Sequence, residues 1–148
     1  MKARYLRSIR LLAECYHAFE QLSSSHVRTL GLTPAQFDII ATLGNTSGMS
    51  FKELGEKTLI TKGTLTGVVD RLEGRGLVRR ATKTEDRRST IVQLTKAGER
   101  EFERIFIPHV DFCKEKFLDY SEEEFVALDK ELAKLKSRLE EAVTRLHV

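Results

Sequence analysis

Cysteine is scarce: the 148 residues hold two, Cys15 and Cys113. Two thiols do not make the disulfide framework of a small secreted domain. Long apolar runs are missing too, and none approaches the roughly 20 residues of a membrane span. The N-terminus, "MKARYLRSIRLLAECY", is basic and then amphipathic. It lacks the continuous apolar core and small-residue cleavage site of a secretory signal. Internal repeats and low-complexity segments are absent as well. No nucleophile–base pair, phosphate-cradling glycine loop or metal cluster stands at usable spacing, which argues against an enzyme. These absences predict a cytoplasmic chain with no membrane segment, no catalytic site and no cofactor.

What is present is a 41% hydrophobic, 32% charged composition, enough for one domain with a real core and a helix-rich fold. The net charge of +3 is small but unevenly spread. Residues 1–49 hold 5 Lys+Arg against 3 Asp+Glu, residues 50–95 hold 10 against 6, and residues 96–148 hold 10 against 13. The middle is therefore +4 and the last third −3. A basic centre points toward an anionic partner bound there.

Residues 4–29 carry Leu6, Ile9, Leu12, Ala13, Tyr16 and Phe19 at three- and four-residue spacing, the apolar stripe of a long helix. In "TPAQFDIIATLG", Thr33 is placed to cap, Pro34 to occupy the first helical position and Gln36 to complete a capping box, with Gly44 as the stop. Ser50 and Glu53 predict a second box and a short helix over 51–58. Thr61 is the expected cap of the next helix, in which Leu65, Val68, Val69 and Leu72 form one buried stripe. Two short strands are predicted at 77–81 and 90–94, with residues 82–89 as a long hairpin tip. A helix over 96–119 follows, in which Pro108 should produce a kink. Ser121 and Glu124 open the last helix, whose stripe runs from Phe125 through Leu128, Leu132, Leu135, Leu139 and Val143 to Leu146.

Short helix, turn, helix, hairpin is the order of a helix-turn-helix with a β wing, a DNA-docking arrangement. The second helix fits the major groove, which is about 12 Å wide. With its stripe buried, its outward face offers Lys62, Thr64, Thr66, Gly67, Arg71 and Arg75 to phosphates and base edges. Gly63 and Gly67 each cost a helix roughly 1 kcal/mol against alanine, a cost that fits a face approached closely by a partner. Solvated polar positions on a packed helix are the plainer alternative. The tip "TEDRRS" places Arg87 and Arg88 where a basic hairpin reaches the narrow, electronegative minor groove. Asp86 is suited to hold and aim an arginine through a charge-assisted bond.

The stretches "LTPAQFDIIATL", "LTKGTLTGVVDRLEGRGLVRR" and "EDRRSTIVQLTKAGE" resemble the MarR family of winged helix-turn-helix regulators over nearly the whole chain. The resemblance implies a mainly α fold with a small antiparallel hairpin wing. It assigns residues 33–98 to the DNA-binding lobe and residues 1–30 and 100–148 to a helical dimerisation region. It also implies that Arg88 enters the minor groove and that Asp86, in the family's Asp-x-Arg motif, braces it. Arg87, at the variable middle position, is left to reach phosphate. The partners implied are a pseudo-palindromic double-stranded operator and a second copy of the chain.

Regulators of this family commonly respond to small aromatic or phenolic acids, for which Arg10, Tyr16, His17 and His26 are candidate anchors. Oxidation at Cys15 is a second route. Cys15 lies on or near the first stripe, where a buried structural cysteine is the ordinary reading. The family's peroxide sensors carry their reactive cysteine and two tyrosines at positions that here hold Ile9, Pro34 and Phe37. A metal is a third route, since His109 and Cys113 share a helix face at i, i+4, although no third ligand is evident. A protein-binding winged helix, which needs no basic wing tip, stands as the rival outside DNA binding.

Overall fold

Helix α1 (Tyr5–Thr29) bears the predicted stripe, yet in the single chain that stripe faces outward: Leu6, Ile9, Leu12, Tyr16 and Phe19 are all exposed. Val27 near its end is the residue α1 buries. The computed structural model describes residues 3–83 and 86–148, with the backbone alone at 83 and 86–88. The chain divides into two compact units, Met1–Cys113 and Lys114–Val148.

In the first unit, α2 (Pro34–Leu43) starts on the expected capping box, with Thr33 Oγ1 accepting from Gln36 N–H and Gln36 accepting from Thr33 N–H. Its Ile39, Ile40 and Leu43 are fully buried. Strand β1 (Met49–Ser50) leads directly into α3 (Phe51–Thr58), where Ser50 accepts from Glu53 N–H. Leu59 caps α3 in the left-handed conformation, and α4 (Lys62–Gly74) follows after the three-residue turn 59–61. Leu65, Val68, Val69 and Leu72 of α4 are buried against Leu54 of α3 and the α2 core, as their spacing predicts. Thr61 stands at the N-cap but makes no side-chain cap: its hydroxyl donates to Thr64 Oγ1 at 3.2 Å.

Strands β2 (Val78–Lys83) and β3 (Asp86–Leu94) are antiparallel, and β1 adds to the other edge of β3, giving the order β1-β3-β2. The expected eight-residue tip is corrected here, because Asp86, Arg87 and Arg88 lie on strand β3. The strand signal in sequence is alternation, which requires one buried face. At the pair Thr82–Thr90 both residues are exposed, so the alternation is lost there while the ladder continues. The next registered pair is Lys83–Asp86, so β3 advances from Thr90 to Asp86 while β2 advances one residue. Residues 87–89 fall in this irregular segment, a bulge-like shift that bends a ribbon.

Helix α5 (Lys96–Lys114) closes the first unit. A Cβ at Gly98 stands 2.0 Å from the Leu77 carbonyl oxygen, so the start of α5 lies as close to the ribbon as glycine permits. Arg104 Nη2 donates to the Leu30 carbonyl at 2.8 Å, tying α5 to the end of α1. Pro108 lies inside α5. The expected end at 119 is corrected: the α-helix stops at Lys114 and tightens into a 3-10 turn at Glu115–Phe117.

In the second unit, α6 (Glu122–Leu146) begins on the predicted Ser121–Glu124 capping box. No residue of α6 is buried, and Leu128, Leu132, Leu139, Val143 and Leu146 of its stripe are exposed. Among the described residues, no helix is long and apolar enough to cross a membrane.

Candidate nucleic-acid interface

The outward face of α4 is built by subtraction. Once Leu65, Val68, Val69 and Leu72 turn inward, Lys62, Gly63, Thr64, Thr66, Arg71 and Arg75 remain exposed and Gly67 half-exposed. A Cβ built on Gly63 or Gly67 meets nothing within 4 Å. Internal packing therefore does not account for either glycine, and the face stays low where they stand.

Two carboxylates, Asp70 and Glu73, share this helix, and both are engaged. Arg80 of β2 donates to Asp70 Oδ1 at 2.5 Å and to Glu73 Oε1 at 2.8 Å, and its backbone N–H donates to Glu73 Oε2 at 3.3 Å. The hydrogen bond to Asp70 raises the guanidinium pKa, with smaller contributions from the Glu73 charge. The guanidinium also sits 5.5 Å from the Phe51 ring centroid. This clamp fixes the base of the ribbon to the helix and offsets negative charge that repels an anionic partner. Sequence reasoning missed it, because the three residues meet only through the strand register. On the same ribbon, Arg79 donates twice to Gln93, its registered partner on β3. Of the predicted wing residues Asp86, Arg87 and Arg88, the backbone belongs to β3, while their side chains lie outside the described residues.

A separate small cleft opens between α1 and α2, lined by Tyr16, Phe19, Glu20, Ser23, Ser24 and Asp38 among others. Of the four candidate effector anchors, Tyr16 lines it. Arg10 pairs with Glu14 at 2.8 Å, His26 bonds His109, and neither they nor His17 line the cleft. Desolvation, then the Glu20 charge, pushes the Asp38 carboxyl up to about 6. Desolvation and a hydrogen bond with Glu20 raise the Tyr16 phenol as well. Glu20, Ser23 and Asp38 escaped sequence reasoning because a cleft shared by two helices leaves no local spacing signal.

His109 and Cys113 are brought together at 3.6 Å, through His109 Nε2. His26 approaches the other nitrogen, Nδ1, of the same ring at 2.9 Å. Partners on opposite edges of one imidazole cannot share one ion with it. Among the described residues, no group of three or more His, Cys, Asp or Glu is placed to hold a metal. Cys15, expected to be buried on the stripe, is exposed in the single chain.

The MarR family model matches residues 32–90. The chain is 30% identical over 124 residues to the HTH-type transcriptional regulator MhqR of Bacillus subtilis (strain 168), covering 84% of this chain and 86% of that one. Among solved structures it is similar to NadR in complex with 4-hydroxyphenylacetate, with a TM-score of 0.72, 27% identity and coverage of 84% and 88%. It is likewise similar to a mutant MarR from E. coli complexed with operator DNA, with a TM-score of 0.73, 25% identity and coverage of 85% and 91%.

Proposed function

The chain belongs to the MarR family of transcriptional regulators, and on that premise we propose that it is a dimeric, sequence-specific repressor of its own or neighbouring genes. It acts in the cytoplasm and is released from a pseudo-palindromic operator by a small aromatic or phenolic effector. The observation that carries the DNA-binding part is the outward face of α4, polar and basic, with two glycines that open onto empty space. In this reading Thr64, Thr66 and Gly67 enter the major groove, and Lys62 and Arg71 reach phosphate. Arg88, braced by Asp86, enters the minor groove beside it, and Arg87 takes a phosphate. Residues 33–98 form the DNA-binding lobe.

Dimerisation is supported by the two exposed stripes, one on α1 and one on α6. Apolar rows of this length on a lone chain mark a surface that a partner covers, and residues 1–30 and 100–148 are assigned to it. The effector part rests on the α1–α2 cleft. A phenolic hydroxyl would donate its one hydrogen bond to Glu20 or Asp38, and the two carboxylates repel a further anion, so a neutral phenol suits the cleft better than an aryl carboxylate.

The test is fluorescence anisotropy on the DNA upstream of the gene, repeated across salt. Each phosphate neutralised contributes a slope of about −0.9 in log affinity against log salt. A steep slope supports the reading. Saturable but salt-insensitive binding, or none, transfers support to a protein-binding winged helix.

A further inference from the structure

The rings of His26 on α1 and His109 on α5 face each other through like atoms, Nδ1 to Nδ1, at 2.9 Å. On its far edge His109 Nε2 lies 3.0 Å from Ser23 Oγ and 3.6 Å from Cys113 Sγ. Phe112 stacks on His26 at 4.3 Å between centroids, and Phe37 of α2 lies at 4.4 Å from the His109 ring. His109 is 6% exposed. The groups facing the pair are thus Ser23 from α1, Phe37 from α2, and Phe112 and the Cys113 thiol from α5. No carboxylate is among these described contacts to neutralise added charge.

Proton bookkeeping at that contact has one outcome. With both rings neutral, one Nδ1–H donates to the other Nδ1 lone pair, and the Ser23 hydroxyl donates or accepts at Nε2 to match the tautomer. A first added proton goes to the Nε2 of the ring already donating, so the Nδ1–H···Nδ1 bond survives. A second added proton has only the accepting Nδ1 to occupy. Two N–H donors on two cations then confront each other at 2.9 Å, and the contact breaks.

We propose that His26 and His109 form an acid-operated latch between α1 and α5, closed with no added proton or one, opened by the second, and that opening weakens operator binding. The output rests on the DNA-binding reading; the latch does not. Phe37 gives a route from one to the other, since it belongs to the α2 core and follows Gln36, which accepts from Arg75 just beyond α4 at 3.5 Å. Burial, then the charge of His26, lowers the His109 pKa below its ordinary 6.5. The folded chain therefore binds fewer protons there than the unfolded chain does. The closed state is favoured above about pH 6.5 and loses ground as pH falls below it.

Imidazole nitrogen shifts in the full chain, followed by NMR from about pH 8 to 4.5, test the latch directly. The expected result is two resolved steps, the lower one coinciding with loss of the His26–His109 ring contact. His26→Gln and His109→Gln each keep a hydrogen-bonding amide without the second titration, so each should remove the lower step. If both rings titrate independently in the wild-type chain, or the contact persists once both are charged, the latch is refuted. The wild-type titration decides this even where a variant fails to fold. Anisotropy on the upstream DNA reads the output. Between pH 7.5 and 5.0 the wild type should lose at least about tenfold in affinity, while the glutamine variants hold or gain. Two-step titration with wild-type affinity unchanged overturns the coupling. If no form binds that DNA at pH 7.5, the DNA-binding reading and this output fall, while the ring titration still decides the latch.

Discussion

Arg80 of β2 hydrogen-bonds Asp70 of α4 at 2.5 Å, with its other terminal amine on Glu73. The pair is part-exposed, with Arg80 at 31% and Asp70 at 57%, so it contributes at most about 1 kcal/mol to stability. Its larger consequence is electrostatic. Arg80→Ala releases two carboxylates beside the surface proposed to face DNA and unties the ribbon. Operator affinity is expected to fall about tenfold at low salt, with little change in Tm and a smaller ratio at higher salt as the freed charges are screened. Adding Asp70→Asn and Glu73→Gln to Arg80→Ala should restore much of the loss. Wild-type affinity for Arg80→Ala alone removes the clamp from the mechanism.

Gly67→Ala separates a packing role from a binding one. The site is open, so the methyl meets nothing and the helix gains up to about 1 kcal/mol. Tm should rise by a few degrees, about 2–4 °C for a chain of this size. Operator affinity should fall in the same variant, because the added carbon stands where DNA comes closest. A chain both more stable and equally tight on DNA shows that nothing approaches Gly67.

What the sequence made legible follows from how far each interaction reaches. Thr33 with Gln36 and Ser121 with Glu124 are three-residue events, and Leu65 to Leu72 is two turns of one helix, so each leaves a local pattern. Strand β1, two residues long, is too short to show any period. Past Ala81 and Ile91 the ribbon shows none, because the next registered pair, Thr82 and Thr90, is exposed on both strands. The Thr61 cap failed on a competitor three residues away, the Thr64 hydroxyl, which the capping rule ignores. The Arg80 clamp, the cleft of Glu20 and Asp38, and the His26–His109 contact each join residues from different elements, and a single sequence carries no register between them.

Arg88 and Lys62 are predicted to fail in different ways. Arg88→Ala should weaken operator binding by roughly 1–3 kcal/mol and flatten the preference for A·T pairs beneath the wing, with the fold intact. Lys62→Ala should weaken binding to all sequences about equally and lower the salt slope by about one phosphate. Competition with scrambled DNA distinguishes the two. If Lys62→Ala instead relaxes preference at one base pair, Lys62 reads bases.

Asp38 costs stability at neutral pH. Its folded pKa of about 6 lies above the ordinary 3.8, so its contribution is fully present below pH 4 and is lost as pH rises through 6. Asp38→Asn should therefore raise Tm at pH 7, by an amount that shrinks below pH 6 and vanishes near pH 4. The side chain is exposed at the cleft rim, which keeps the effect small. A Tm difference independent of pH assigns it to packing.

The exposed stripes make the dimer testable without endangering the fold. Leu12 and Leu139 are 39% and 51% exposed in the single chain. A leucine already in water gives up little when replaced, usually within about 0.5 kcal/mol. Leu12→Lys and Leu139→Lys should thus leave each chain folded, with unchanged helical circular dichroism. In a dimer the same positions are covered, and two lysines brought together there lose hydration and repel. Sedimentation should show monomers for either variant and a dimer for the wild type, and deletion of α6 should act the same way. Operator affinity should fall with the dimer, because a lone helix and wing make too few contacts to outcompete bulk DNA. Variants that remain dimeric place the subunit contact elsewhere, and the α1 and α6 stripes then need another partner.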